Sequence, residues 1–132
     1  MARTSSLPIH PRQLILALLR KSKAPLTAYN LLEKLQPKGV KSAPIVYRAL
    51  AELEGQGSVH KIQELGAYVA CDCSADHQHP LSVLTVCGDC KKVSELHNHA
   101  IIRHLTKLRQ MQINLRNSAV IELPVICNQC AA

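Results

Sequence analysis

Leu14, Ile15, Leu18 and Leu19 fall at helical spacing between Pro11 and Lys21, with Pro11 where a helix start tolerates it and Ala24-Pro25 marking the stop. Thr27 is the expected N-cap of a second, short helix bearing Leu31, Leu32 and Leu35 and ending at Pro37-Lys38-Gly39. Ser42 is the expected cap of a third helix: Pro44 lies in its first turn, and Val46, Ala49, Leu50 and Leu53 follow the i, i+3, i+4, i+7 rule. The runs 58–62 and 67–69 then flank Gln63-Glu64-Leu65-Gly66 and read as a hairpin. Three helices followed by such a hairpin describe a winged helix-turn-helix.

The second half has a different pattern. Residues 81–86, 92–96 and 119–123 read as strands, and 97–113 places Ile101, Leu105, Leu108 and Gln112 at helical spacing. His97, Asn98 and His99 are candidates to cap that helix, and with His104 the histidines here read as surface or structural groups. A small sheet with one helix leaves an apolar face that a symmetric partner would cover, which predicts a homodimer. The expected fold class is α+β: a winged-helix domain over 1–72, a hinge over 73–80, and a small α/β dimerisation domain over 81–132.

Charge sharpens this division. Residues 1–70 carry ten Lys or Arg against four Asp or Glu, whereas residues 71–132 carry six against five. A basic first half suits a nucleic-acid partner. Tyr47, Arg48 and Glu52 lie off the apolar stripe of the third helix, and Lys38 and Lys41 stand just ahead of it. The start of a recognition helix enters the major groove, where arginine can donate two hydrogen bonds to guanine, so Arg48 is the candidate base reader. With three Tyr, no Phe and no Trp, little is available to stack unpaired bases, and double-stranded DNA is the expected target. The longest aliphatic run, 14–19, is too short to cross a bilayer, so no membrane role is expected.

The cysteines carry the chemistry. Cys87-Gly-Asp-Cys90 and Cys127-Asn-Gln-Cys130 together supply four thiolates suited to one closed tetrahedral zinc site. The linker between the pairs is longer than that of a simple zinc ribbon, so it must fold and have its ends tied together. The polar start of the chain, 1–10, lacks a signal-peptide core, which favours a reducing cytoplasm and metal over disulfides. An iron site would use the same four sulfurs. Cys71 and Cys73 are left over just ahead of His77 and His79 and point to a second cluster of different chemistry, giving one zinc for structure and one for sensing.

The segments Thr27-Ala-Tyr-Asn-Leu-Leu32, Ile45-Val-Tyr-Arg-Ala-Leu50, Gly57-Ser-Val-His-Lys61, Tyr68-Val-Ala-Cys71 and the two cysteine pairs resemble, in order along nearly the whole chain, the ferric uptake regulator family, most closely its zinc uptake regulator branch. The resemblance implies a homodimeric, metal-dependent repressor that binds A/T-rich palindromic operators of zinc-acquisition genes. Position by position it places the regulatory zinc on His60, Cys71, a histidine of the His77-Gln-His79 stretch taken as His79, and Glu95, and the DNA contacts on Tyr29 and Arg48 with Tyr47 beside them. Lys41 joins them from its position ahead of the helix. The donor set is borderline-soft and suits zinc better than iron or manganese, with Cys73 and His77 as the alternative ligands.

Departures from the family pattern are visible. The helix after Glu95 lacks the glutamate that iron sensors place near its start, and the histidine stretch offers Asp76 instead of the usual interleaved carboxylate, so a further carboxylate-rich metal site is not expected. Iron-, manganese- and peroxide-responsive relatives are the nearest rivals, and the thiolate assigned to Cys71 counts against them. An enzyme is not expected: no His-x-Glu accompanies the cysteine pairs, and four thiolates leave no open position for a substrate.

Overall fold

The computed structural model describes residues 10–22, 24–71, 81–116 and 119–132. The expectations for Cys73, Asp76, His77, His79 and the 73–80 hinge lie outside the described residues.

Helices α1 (Pro11–Lys21), α2 (Ala28–Leu35) and α3 (Ala43–Gly55) form where the periodicity predicts them. Their apolar stripes meet in one core built on Ile15, Leu19, Leu31, Leu35, Val46, Leu50 and Leu53, each almost completely buried. Burial of side chains this size contributes about 1.5–3 kcal/mol apiece. Thr27 begins α2 through a reciprocal cap: its Oγ1 accepts from the Asn30 amide at 3.0 Å, and the Asn30 side chain accepts from the Thr27 amide at 3.1 Å. A single 3-10 turn, Gln36–Lys38, follows and ends at Gly39, whose φ of 98° favours glycine. Ser42 stands at the N-cap position of α3, but its side chain accepts no capping hydrogen bond. Pro44 occupies the first turn and has no amide hydrogen to offer, so one of the usual capping donors is missing.

The hairpin of β2 (Val59–Ile62) and β3 (Ala67–Ala70) forms the wing. A two-residue strand, β1 (Leu26–Thr27), pairs antiparallel with β3 and completes a sheet of order β1-β3-β2. Two residues are too few for a period-2 pattern, and β1 is set by pairing alone.

The second sheet centres on β4 (Leu81–Cys87), with β5 (Val93–Glu95) antiparallel on one side and β6 (Ala119–Val125) parallel on the other. Between β5 and β6 runs α4 (His99–Thr106), capped by Asn98, whose side-chain oxygen accepts from the Ile101 amide at 3.1 Å. The expected single helix over 97–113 is shorter than its pattern. After Thr106 the chain tightens into a 3-10 segment, Lys107–Met111, and Gln112 turns left-handed at φ 63°. Bonds from the Ile113 amide to the Leu108 carbonyl and from the Gln112 amide to the Arg109 carbonyl close the end as a Schellman motif. No residue of α4 is buried, and Ile101, Met111, Ile113, Leu123 and Ile126 are exposed.

The wing packs on the second sheet. Ile62 is fully buried against Leu84 and Val86, with Leu65, Val69, Val93 and Val120 around them. His60 lies two residues before Ile62 and so shares its face of β2. This seam positions both metal-type clusters relative to the helices.

Candidate metal centres

Cys87 ends β4, Cys90 closes the turn after it, and Cys127 and Cys130 belong to the last short helix, α5 (Asn128–Ala131), and its N-cap. The parallel register pairs Cys87 with Val125, and the Gly88 amide donates to the Val125 carbonyl at 2.9 Å. The long linker therefore folds as β5, α4 and β6 and returns its end beside Cys87. All four sulfurs lie within 4.8 Å of one another, and Cys90 and Cys127 are 3.8 Å apart, Sγ to Sγ. A tetrahedron with metal–sulfur bonds of about 2.3 Å has an edge of about 3.8 Å.

Electrostatics point the same way. The Cys127 amide donates to the Cys87 sulfur at 3.4 Å, and this bond, with amides of Cys90 and Asp89, lowers the Cys87 pKa to about 6. Cys127 is lowered as well, chiefly by the Cys130 amide. Cys130 is pushed up to about 12, mainly by its hydrogen bond with Cys127 and then by those with Cys90 and Cys87. The cluster ionises at one end and resists a further negative charge at the other, and a divalent cation removes that conflict.

A second cluster joins the wing to the second sheet. His60 of β2, Cys71 just beyond β3, and Glu95 at the end of β5 offer ligand atoms that all lie within 4.8 Å of one another. Cys71 Sγ stands 3.9 Å from Glu95 Oε1 and 3.7 Å from its Oε2, and His60 Nε2 is 3.9 Å from the same Oε1. The His60 and Glu95 side chains are only 3% and 6% exposed. The Cys71 amide donates to the Ser58 carbonyl at 2.8 Å and ties this residue back to the start of the hairpin. Ligation by Cys71 calls for its thiolate. Imidazole, thiolate and carboxylate together form a borderline-soft set that fits zinc.

Tyr29 near the start of α2 is 68% exposed and Tyr47 on α3 is 57% exposed. Arg48 on α3 and Lys41 just before it are exposed too. These four expected DNA-contacting residues are accessible on the helix-turn-helix, clear of the packed core.

Residues 8–122 match the model of the ferric uptake regulator family. The chain belongs to that family. It is 33% identical over 119 residues to the zinc uptake regulation protein of Escherichia coli K12, an alignment covering 88% of this chain and 68% of that relative. Among solved structures, holo XcZur superposes at a TM-score of 0.75 with 27% identity, covering 92% of this chain and 84% of the other. A zinc uptake regulator complexed with zinc and DNA superposes at 0.74 with 30% identity, covering 92% and 81%. The family consists of transcription regulators, not enzymes. No helix among the described residues of this family member is long and apolar enough to cross a membrane.

Sequence reasoning missed two features of the site. One is the docking of Ile62 on Leu84 and Val86. The other is Glu122 of β6, whose carboxylate accepts from the backbone amides of Gln63, in close contact, and Glu64, at 3.3 Å, in the turn of the wing. Glu122 is the lone charge of an otherwise apolar strand, and that was the signal available.

Proposed function

We propose that this chain is a zinc-responsive, DNA-binding repressor of zinc-uptake genes, acting in the cytoplasm as a homodimer on an A/T-rich palindrome. The observation that carries this reading is the convergence of His60, Cys71 and Glu95 from the wing, the segment after it and the second sheet. With His79 as fourth ligand these residues would hold the regulatory zinc, and Cys87, Cys90, Cys127 and Cys130 a structural one, giving two ions per chain. Zinc supplies a divalent charge that accepts all four donors of each set at once.

Ligands drawn from separate parts of the chain make metal occupancy a vote for one arrangement of wing and sheet. If the closed arrangement binds the ion more tightly, occupancy shifts the population toward it. The closed form sets the two recognition helices of a dimer one DNA turn apart. Tyr29, Lys41, Tyr47 and Arg48 then face the operator. The exposed Ile101, Met111, Ile113 and Leu123 support a dimer built on the second half of the chain, within domain limits of 1–72, 73–80 and 81–132.

The decisive experiment is operator binding in the presence of reductant across buffered free zinc, iron(II) and manganese(II), starting from protein that retains one tight zinc. Activation by zinc at far lower free concentration than the other metals is expected. Binding that ignores zinc, or responds to iron or manganese alone, would sink the zinc reading while leaving the family intact.

A further inference from the structure

Glu122 occupies a place where two independent alignments meet. In the register of the second sheet Leu84 pairs with Glu95 on β5 and with Glu122 on β6, so the three form one row across the sheet and share a face. Each member of the row meets the wing. Glu95 approaches His60 and Cys71, Leu84 packs on Ile62, and Glu122 accepts from the Gln63 and Glu64 amides. On the wing side the partners are consecutive along β2 and its turn: His60, Ile62, then Gln63 and Glu64.

We infer that Glu122 is a positioning residue of the metal switch, a carboxylate latch that holds the tip of the wing on the second sheet so that metal binding at the other end of the row fixes the DNA-binding helices. The inference rests on the zinc-responsive reading proposed above. The physics is that of a charged acceptor against two amides that β pairing does not use. A charge-assisted hydrogen bond is roughly twice as strong as a neutral one. The turn residues Gln63 and Glu64 are exposed, so without Glu122 their amides would turn to water and the wing tip would be free to lift. Ile62 and the metal cluster alone would leave the hairpin held along one end of its length. A hinge fastened at one end moves easily, and one fastened at both ends does not.

Closure and metal binding are linked, so weakening the latch lowers the population of the metal-competent form and raises the free zinc needed for operator binding. The test uses the full chain with its tight zinc retained, comparing wild type with Glu122→Ala and Glu122→Gln. Half-maximal operator binding is expected to need roughly tenfold more free zinc in Glu122→Ala, and less than that in Glu122→Gln, which keeps one acceptor oxygen. Maximal binding at saturating zinc and the content of tight zinc should be unchanged. In parallel, amide hydrogen exchange at Gln63 and Glu64 should speed up in Glu122→Ala, with exchange in α1 to α3 unaltered. An unchanged zinc midpoint together with unchanged exchange at these amides overturns the latch. Loss of operator binding at all zinc concentrations in Glu122→Ala, with accelerated exchange throughout, would also overturn it, because that is the signature of a residue needed only for folding. Should wild-type operator binding prove indifferent to zinc, the functional reading fails by itself, and exchange at Gln63 and Glu64 still decides whether the latch exists.

Discussion

Glu95 and Glu122 stand in the same row of the second sheet, one on each side of Leu84, and both carboxylates point to the wing. One faces a histidine and a cysteine, the other a pair of backbone amides. The wing is thereby gripped at two points about an apolar contact, Ile62 on Leu84. A signal received at the first point can reach the helices only if the wing moves as a rigid piece, and the row makes it one.

Cys71→Ser is expected to remove metal-dependent operator binding, raising the free zinc required by at least tenfold, while thermal unfolding stays within a few degrees of wild type. Cys73→Ser should leave the response in place. Electrophoretic shifts in zinc buffers with excess reductant check both, and sensitivity to Cys73→Ser instead would reverse the ligand register.

In the metal-free chain the stabilising contribution of the four-cysteine cluster should peak near pH 9. Folding lowers the Cys87 pKa from 9.0 to about 6, so its stabilising contribution is complete above 9 and is lost as pH falls through about 6. Folding raises Cys130 from 9.0 to about 12, so that contribution is complete below 9 and is lost as pH rises toward 12. Urea midpoints of the chelated protein between pH 6 and 9 should rise with pH, and Cys87→Ser should flatten the slope. Restoring zinc should steepen it, since ligation keeps all four sulfurs deprotonated in the folded state while the unfolded chain takes up their protons as pH falls below 9.

Replacing Cys87 in the metallated protein carries a larger penalty. Loss of one of four thiolates opens the site, and Cys87→Ser should lower unfolding free energy by about 3 kcal/mol or more, with the tight zinc missing from metal analysis. A variant that keeps a full equivalent of tight zinc would show that the four cysteines are not one site.

Arg48→Ala should weaken specific operator binding by about 1–3 kcal/mol and relax preference at one base pair, without altering zinc affinity. Lys41→Ala should weaken binding to all sequences alike and reduce the salt slope by about one unit. Titrations against operator and scrambled DNA at several salt concentrations separate the two roles. A base-specific loss from Lys41→Ala would exchange them.

Ile62→Ala should behave unlike a change in the helical core. Ile62 is 0% exposed, and cutting a buried isoleucine to alanine costs about 2–5 kcal/mol. Its neighbours belong to the seam between wing and second sheet, so the loss should appear both as lower stability and as a higher zinc requirement for DNA binding. Leu31→Ala, in the helical core, should lower stability without moving the zinc midpoint of the folded fraction.

The three helices, the Thr27 cap, the wing and the two cysteine pairs were legible in the amino-acid sequence because each is encoded within a few residues: a 3.6-residue period, a side chain three positions from an amide, two thiolates one turn apart. The resemblance to a family added His60, Cys71 and Glu95, which no local pattern joins. What only the tertiary structure decided is register. Parallel pairing of β4 with β6 sets Glu122 beside Leu84 and Val125 beside Cys87 across nearly forty residues of chain, and the packing of Ile62 on Leu84 selects the face that the wing presents. Pairing between distant strands depends on the summed fit of both faces, a non-local quantity that no single stretch of sequence displays.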